Sequence, residues 1–211
     1  MEIINSEIEK YMEHLLNERD SIFKKLEEYA AKINFPIVEP LIGQLLQQYT
    51  KMINAKKIIE LGSGFGYSAL WFARGTEDDA KIICTDYSED KARLAKKYFN
   101  EAGVENKIDF RIGDALKILS ELDEEFDIIF NDVDKEEYPE TFKLAINRLK
   151  IGGLLITDNS LWYGGVIKEN PKSLATQGVK EYNRLAFSDP RVISTLLPIR
   201  DGICVSLKIS L

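Results

Sequence analysis

Oxygen-bearing side chains follow two neighbouring predicted strands, and together they could hold a divalent metal ion. The run FDIIFN at 126–131 is followed by Asp132, and the run GLLITD ends in Asp158, with Asn159 next to it. The carboxyl ends of successive parallel strands lie side by side, so these three side chains are expected to converge. Oxygen ligands favour Mg²⁺, with Ca²⁺ or Mn²⁺ as alternatives, over zinc. Taken singly, Asp158 and Asn159 could instead simply turn the chain after a strand.

Such a metal would have a clear chemical use beside Lys135, three residues after Asp132. A phenol has a pKa near 10, so forming the phenolate at pH 7 costs about 4 kcal/mol. A divalent ion on the hydroxyl oxygen offsets much of that cost. Lys135 could then take the proton, stay as a fixed positive charge for the oxyanion, or be only a solvated lysine at a helix start. A substrate with adjacent hydroxyls would chelate the ion.

A glycine-rich turn follows the first predicted strand. It reads Glu60-Leu61-Gly62-Ser63-Gly64-Phe65-Gly66, and such turns serve NAD, FAD or S-adenosylmethionine. A dinucleotide fingerprint calls for glycine or alanine at the sixth position, which is Tyr67 here. Glu60 would repel a pyrophosphate but suits a ligand with an ammonium and a sulfonium. The turn therefore favours S-adenosylmethionine over a dinucleotide.

The next two predicted strands also end in polar residues. Asp86, followed by Tyr87, ends the second strand, where an acid can accept hydrogen bonds from both ribose hydroxyls. The third leads to Gly113-Asp114-Ala115, where an adenine edge would lie. Asp114 could instead be only a helix N-cap.

Short apolar runs alternate with amphipathic helices from Lys56 onward, which predicts an α/β fold with a parallel sheet covered on both faces. The predicted strands are 56–61, 81–86, 107–112, 126–131 and 153–158, and the helices between them are about 67–74, 88–102, 114–121 and 137–149. A helix near 174–187 precedes two runs at 191–199 and 202–209, which are separated by Arg200 and Asp201. Strands joined so tightly must be antiparallel. The sheet is thus expected to be mostly parallel, with seven strands and a C-terminal antiparallel hairpin.

The first 53 residues are predicted to form a helical cap on the core of residues 54–211, within one domain of residues 1–211. Apolar residues recur at helical spacing over 3–33, with a break near 17–21. An extended stretch at 35–40 contains two prolines, and a further helix is expected at about 41–53. The start of the chain is acidic and helical rather than a signal peptide.

Composition excludes several classes of protein. The 211 residues are 45% hydrophobic and 30% charged, as in an ordinary globular domain. The net charge of −7 disfavours non-specific nucleic-acid binding, and no apolar run is long enough to cross a membrane. One histidine, His14, and two cysteines, Cys84 and Cys204, leave little for a Ser-His-Asp triad or a zinc site. A cytoplasmic location is expected.

Five motifs in this order resemble the cation-dependent class I O-methyltransferases, relatives of caffeoyl-CoA and catechol O-methyltransferases with a Rossmann-like fold. They are ELGSGFGYS at 60–68, the strand end at Asp86, GDA at 113–115, FNDVDK at 130–135 with Tyr138, and ITDNSLWYGG at 156–165. The resemblance implies a homodimer, a metal held by Asp132, Asp158 and Asn159, and Lys135 as general base. With Lys135, Asp132 is predicted to be catalytic.

The resemblance, together with the strand-end argument, predicts the remaining site. The predicted S-adenosylmethionine-binding residues are Val38, Glu60, Gly62, Ser63, Gly64, Ser68, Asp86, Tyr87, Asp114, Ala115, Asp132 and Asp134. Trp162 and Tyr163 are predicted to wall an aromatic acceptor pocket, with packing over the sheet end as the plainer interpretation.

Three functions remain open from the sequence. The first is methyl transfer to a small catechol-like diol, although plant caffeoyl-CoA enzymes have asparagine where this chain has Tyr163. The second is methylation of a transfer-RNA wobble hydroxyuridine, because the N-terminal segment resembles some bacterial members with that activity. Those members tend to lack the second aspartate of DxDK, which is present here as Asp134. The third is a non-catalytic protein that kept the fold.

Overall fold

The computed structural model describes residues 3–211, which form seven strands and eight α-helices. The strands are β1 (Lys57–Leu61), β2 (Lys81–Asp86), β3 (Ile108–Ile112), β4 (Phe126–Asn131), β5 (Leu149–Thr157), β6 (Val192–Leu197) and β7 (Ile203–Lys208). The helices are α1 (Ser6–His14), α2 (Ser21–Ile33), α3 (Pro40–Met52), α4 (Tyr67–Gly75), α5 (Glu89–Glu101), α6 (Ala115–Glu121), α7 (Tyr138–Arg148) and α8 (Leu174–Ser188).

All seven strands form one sheet in the order β3-β2-β1-β4-β5-β7-β6. The first five strands pair in parallel, and β7 pairs antiparallel with both β5 and β6. The predicted mostly parallel sheet with an antiparallel C-terminal hairpin is therefore confirmed. The strand order reverses between β1 and β4, and in such sheets ligands bind in the crevice beyond the carboxyl ends of those strands.

Both faces of the sheet are buried, which explains why its strands are continuously apolar. Ile58 and Ile59 are adjacent on β1 and point to opposite faces, yet neither exposes any surface. Ile58 packs in the core under the N-terminal helices, where Phe23 and Leu26 of α2 also lie. Ile59 packs in the second core, under α7 and α8.

The N-terminal helices differ in their bounds from the prediction. The first helix begins at Ser6 rather than at residue 3, because the side chain of Asn5 accepts the backbone N–H of Glu7 at 2.9 Å and caps it. The predicted break is present, and Asp20 caps the start of α2. Residues 1 and 2, which were included in the predicted helical start, lie outside the described residues.

The C-terminal part also differs in detail. Strand β5 begins at Leu149, four residues earlier than predicted. Five residues, 198–202, join β6 to β7, rather than the two expected. The turn is longer because its residues contact the loop after β5. Among residues 3–211, no helix is both long and apolar enough to span a membrane.

Candidate functional site

Two neighbouring clefts open at the carboxyl edge of the sheet, and the extended segment 35–38 contributes to both. The first cleft, of about 490 Å³, is lined by the glycine turn and by the residues after β2, β3 and β4. The second, of about 510 Å³, is lined by the residues after β5, the cap and the β6–β7 turn. The layout suits two ligands that must meet.

Two hydrogen bonds of Ser63 hold the glycine turn against β2. Ser63 N–H donates to the Thr85 carbonyl at 2.7 Å, and Thr85 N–H donates back to Ser63 Oγ at 3.0 Å. Gly62 has φ +87°, and a Cβ there would lie 2.4 Å from the carbonyl oxygen of Asp132. Only glycine allows this approach of the β1 and β4 loops.

Glu60 lies fully buried directly behind the turn. Ser68 Oγ donates a hydrogen bond to its Oε1, whereas Oε2 has no hydrogen-bond partner within residues 3–211. Burial raises the Glu60 pKa to about 7 against the lowering effect of the Ser68 bond. A buried carboxylate with an unbonded oxygen beside a cleft suits a cationic ligand group, and the ammonium of S-adenosylmethionine fits that requirement.

Asp86, the acid predicted to bind the ribose, is part of the lining of the first cleft. Its Oδ2 accepts Gly64 N–H at 3.1 Å and Lys91 Nζ at 3.2 Å, and its Oδ1 accepts Ser88 N–H at 2.9 Å. Lys91 also lies 4.8 Å from the centre of the Phe35 ring. These contacts fix the carboxylate while leaving lone pairs for hydroxyl groups.

Tyr67, which breaks the dinucleotide fingerprint, ties the cap to the glycine turn. Its hydroxyl donates to Glu27 Oε1 at 2.7 Å, and Arg19 holds both oxygens of the same carboxylate at 2.7 and 3.0 Å. The tyrosine ring also packs edge-on to Phe23 of α2. A large residue at this position thus anchors α2 rather than only filling the turn.

The predicted metal ligands lie on adjacent strand ends. Asn131 of β4 is in register with Thr157 of β5, so Asp132 and Asp158 follow paired residues. Both pKa values are raised, mainly by burial, and that of Asp158 reaches about 7 because Asp132 also repels its charge. The half-buried carboxylate of Asp132, the buried carboxylate of Asp158 and the Asn159 amide form an oxygen donor set that a divalent cation would stabilise. Among the described residues, no three His, Cys, Asp or Glu side chains form a metal cluster; the third predicted ligand is an amide.

Lys135 lies over this donor set. Its Nζ donates to Asp132 Oδ1 at 2.8 Å and to the Val133 carbonyl at 3.3 Å. The same nitrogen lies 5.2 Å from the Tyr138 ring centre and 5.8 Å from that of Trp162. With only 13% of its side chain exposed, Lys135 is held in place rather than solvated.

The second cleft is lined by the ring of Tyr163 and by the guanidinium group of Arg200, whereas Trp162 lies outside its lining. Trp162 packs on Tyr163 with ring centres 5.4 Å apart, and Tyr163 is 68% exposed at the cleft. Arg200 also lines this cleft, and it pairs with Glu9 of α1 at 3.0 Å and with Glu39 before α3. The cap is therefore joined to the C-terminal hairpin across this cleft.

The structure distributes the predicted residues as follows. The first cleft is lined by Val38, Gly62, Ser63, Gly64, Ser68, Asp86, Tyr87, Ala115, Asp132, Asp134 and Lys135, and the second by Val38, Asp158, Asn159 and Tyr163. Glu60 lies behind the first lining, and Trp162 lies beside Lys135. Asp114 is outside both linings; its Oδ1 accepts Lys117 N–H at 2.9 Å and caps α6.

Sequence reasoning did not identify several lining residues. Phe35, Pro36 and Ile37 were recognised only as extended chain, although they lie between the clefts. Arg200 and Asp201 were recognised only as a turn. A proline pair or a two-residue turn carries no chemical signal, so only the assembled fold reveals these contributions.

Comparison with known proteins agrees with this geometry. The model of the O-methyltransferase family matches residues 12–209. Caffeoyl-CoA O-methyltransferase 1 of Eucalyptus globulus is 38% identical over 200 residues, which cover 89% of this chain and 81% of that protein. Catechol O-methyltransferase of Niastella koreensis is 33% identical, covering 90% of this chain and 89% of the relative. The crystal structure of an O-methyltransferase from Bacillus cereus in complex with SAH superposes with a TM-score of 0.87 at 30% identity, covering 95% of this chain and 97% of the other.

Proposed function

This chain belongs to the O-methyltransferase family. From that premise we propose that it methylates a hydroxyl group of a catechol-like acceptor and that this reaction requires a divalent cation. That it is an S-adenosylmethionine-dependent O-methyltransferase of the caffeoyl-CoA and catechol type follows from the family. The acceptor and the cation are our proposal. The observation that carries it is the pair of carboxylates, Asp132 and Asp158, whose charges burial disfavours, with Lys135 at 2.8 Å from the first.

In this proposal S-adenosylmethionine occupies the first cleft. Ser68 lines that cleft and contacts Glu60, so the amino-acid end of the ligand belongs there. Asp86, fixed by Gly64 and Lys91, receives the ribose hydroxyls. The glycine turn lets the ligand lie directly against the backbone.

Asp132, Asp158 and Asn159 would hold the cation, since they present oxygen donors from adjoining strand ends. When bound, a divalent cation supplies positive charge that lowers the pKa of a nearby hydroxyl. Three protein ligands leave positions open for a substrate.

Lys135 first releases a proton from its ammonium to solvent, and the neutral Nζ then takes the proton of the acceptor hydroxyl. The freed oxygen then attacks the methyl carbon, the carbon–sulfur bond breaks, and S-adenosylhomocysteine leaves as a neutral thioether. The chain contributes mainly by holding the two ligands in line, which can supply a large part of the rate enhancement. Trp162 and Tyr163 would flank the aromatic ring of the acceptor.

The charges of the second cleft predict which acceptors it prefers. Arg200 is the one cationic side chain in its described lining, and it is already paired with two carboxylates, Glu9 and Glu39. An anionic acceptor would find no unpaired cation among these described lining residues, whereas an amine would meet excess negative charge. We expect 4-(2-aminoethyl)catechol to have a kcat/KM about 10-fold above that of 3,4-dihydroxyphenylacetate, a difference of about 1.4 kcal/mol.

Steady-state kinetics with this matched pair, at low and high salt, checks that expectation. Salt should narrow the difference, because the charges are partly exposed. Glu39→Gln should also narrow the difference in kcat/KM between the two acceptors, because it removes one of the two carboxylates that pair with Arg200. Equal kcat/KM values for the two acceptors at low salt would contradict it.

A methyl-transfer screen tests the proposed function itself. The acceptors are catechols, hydroxycinnamoyl thioesters and transfer RNA with and without a wobble hydroxyuridine, each assayed with Mg²⁺ and with EDTA. We expect Mg²⁺-dependent turnover of catechols. If EDTA left turnover unchanged, the proposed role of the cation would be wrong. If only the modified transfer RNA were methylated, the proposed catechol-like acceptor would be wrong.

Glu60→Gln should weaken S-adenosylmethionine binding about 10- to 100-fold, because a hydrogen bond to a charged group contributes roughly 1.5–3 kcal/mol. The same change should stabilise the unliganded protein. The Glu60 pKa is raised from 4.5 to about 7, so the wild-type protein loses stability as pH rises through about 7. At pH 8 the variant is expected to be more stable by up to about 3 kcal/mol.

Calorimetry and thermal denaturation at pH 5 and pH 8 measure both effects. The control ligand is 5′-methylthioadenosine, which lacks the amino-acid end and should bind wild type and variant equally. Unchanged affinity for S-adenosylmethionine would argue against the placement of its ammonium beside Glu60. If the variant were no more stable than wild type at pH 8, the expectation that the buried Glu60 carboxylate destabilises the unliganded protein would be wrong.

The transfer-RNA alternative finds no support in the relatives named above. The homodimer and the cytoplasmic location stay predictions of the sequence analysis.

A further inference from the structure

One hydrogen bond joins the linings of the two clefts. Tyr67 lines the first cleft and Glu27 lines the second, and the Tyr67 hydroxyl donates to Glu27 Oε1 at 2.7 Å. Burial, followed by the Glu27 carboxylate, raises the pKa of Tyr67, so the hydroxyl keeps its proton and remains the donor. The bond therefore connects the start of α4, directly after the glycine turn, to the middle of α2.

Both oxygens of the Glu27 carboxylate are held by Arg19. Arg19 Nε donates to Oε1 at 2.7 Å, and Nη2 donates to Oε2 at 3.0 Å. A bidentate pair of arginine and carboxylate has a fixed geometry, and only 23% of the Glu27 side chain is exposed. Because its charge is balanced in place, Glu27 is better suited to positioning α2 than to binding a ligand directly.

Helix α2 leads directly into the segment 35–38, which lines both clefts. Asn34, with φ 51°, ends the helix, and the Phe35 N–H donates back to the Ala30 carbonyl at 2.9 Å. The Phe35 ring lies against the glycine turn, since a Cβ on Gly64 would be 3.1 Å from its Cε1. A shift of α2 would therefore also move the residues that lie between the two clefts.

We propose that the hydrogen bond between Tyr67 and Glu27 positions α2 and the segment 35–38 over both clefts, so that one contact supports the binding of cofactor and acceptor. Tyr67 and Glu27 are then positioning residues, because they act through that segment. If the bond is lost, each ligand binds a chain in which the closed arrangement is only partly populated, and both affinities fall by the same factor. The first ligand to bind restores that arrangement for the second. The acceptor half rests on the proposed function, whereas the cofactor half does not.

Calorimetry with S-adenosylhomocysteine tests the cofactor half without acceptor or metal. We expect Tyr67→Phe, which removes only the hydroxyl, to weaken binding about 10-fold, since a hydrogen bond to a charged group contributes that much or more. The stoichiometry of the titration reports the folded fraction, so a partly unfolded variant is not mistaken for a weak binder. Wild-type affinity in Tyr67→Phe would overturn the proposal.

The probe for the acceptor half is 4-nitrocatechol with Mg²⁺, titrated with and without saturating S-adenosylhomocysteine. In Tyr67→Phe we expect its affinity to be about 10-fold below that of wild type without S-adenosylhomocysteine, and within about twofold of wild type with it. A loss that S-adenosylhomocysteine does not reverse would overturn the coupling. If the wild-type protein did not bind 4-nitrocatechol, the proposed acceptor would be wrong, and the cofactor titration would still decide the role of Tyr67.

Variants of Glu27 separate positioning from direct contact with the acceptor. Glu27→Ala should weaken S-adenosylhomocysteine binding at least as much as Tyr67→Phe does, and combining the two changes should add no further loss. Glu27→Gln keeps an oxygen that accepts the Tyr67 hydroxyl, so it should recover part of the affinity. If Glu27→Ala weakened the binding of 4-nitrocatechol alone, Glu27 would contact the acceptor directly and the proposal would fail.

Glu101→Gln is the matched control. The Glu101 carboxylate on α5 pairs with Lys25, which is also on α2, but both residues lie outside the described linings of the two clefts. This variant should bind both ligands like wild type. An equal loss in Glu101→Gln would show that any contact of α2 has the same effect, and would overturn the specific role of Tyr67 and Glu27.

Discussion

Asp158→Ala is expected to lower kcat for a catechol about 10³-fold at pH 7 and saturating Mg²⁺. The variant lacks one of the two carboxylates in the proposed donor set, so the acceptor hydroxyl must ionise without the positive charge of the cation. That ionisation costs about 4 kcal/mol for a phenol at pH 7, which corresponds to a factor of about 10³.

The variant should nevertheless fold. Asp158 is buried, and its pKa is raised to about 7, so its charge costs folding free energy as pH rises through that value. Removing the carboxylate removes that cost, and the melting temperature at pH 8 should equal or exceed that of wild type. Asp158→Asn keeps an acceptor for the Asn159 N–H. This second variant shows whether a loss of activity in Asp158→Ala comes from the missing carboxylate or from the lost backbone hydrogen bond.

Steady-state kinetics and thermal denaturation measure these two outcomes. Asp109→Ala serves as control, since Asp109 is exposed on β3 and pairs with Arg111 at 2.8 Å. The metal site would be dismissed if Asp158→Ala and EDTA-treated wild type both kept full activity.

Lys135→Ala is expected to lower kcat about 10²- to 10⁴-fold, the usual range for loss of a general base. The KM for S-adenosylmethionine should change little, because the effect concerns proton transfer from the acceptor. The pH–rate profile should also lose its dependence on a basic group.

Lys135→Arg distinguishes a base from a fixed charge. Arginine keeps the positive charge over Asp132 but does not give up its proton in proteins. We expect this variant to be as slow as Lys135→Ala. Substantial activity in Lys135→Arg would assign Lys135 to electrostatic stabilisation. Lys143→Ala, which removes an exposed lysine paired with Glu140 on α7, should behave like wild type.

The sequence predicted the positions of those candidate site residues that lie at the ends of parallel strands. Glu60, Asp86, Asp132 and Asp158 each end or follow an apolar run, and their neighbourhood follows from the pairing of those runs. Parallel strands with crossover helices place their carboxyl ends along one edge, so a linear pattern is sufficient there. The same pattern predicted the terminal hairpin, because short connections force antiparallel pairing.

The hydrophobic pattern of the sequence was insufficient where a side-chain hydrogen bond decides where a helix begins or whether an acid faces a cleft. The side chain of Asn5 caps α1, so the helix begins later than predicted. The side chain of Asp114, which was predicted to contact adenine, caps α6 instead of lining a cleft. A capping aspartate and a ligand-binding aspartate look alike in a sequence, because both follow a strand and precede a helix.

The sequence by itself thus determined the sheet, the glycine turn and the strand-end acids, because these depend on periodicity and on neighbours along the chain. The tertiary structure alone decided that Asp201 Oδ1 accepts the backbone N–H of Tyr163 and that Arg200 joins Glu9 to Glu39. It also decided that Glu60 is buried deeply enough to raise its pKa to about 7. Such features arise from contacts between distant segments and from exclusion of water, and neither leaves a periodic signal in the order of residues.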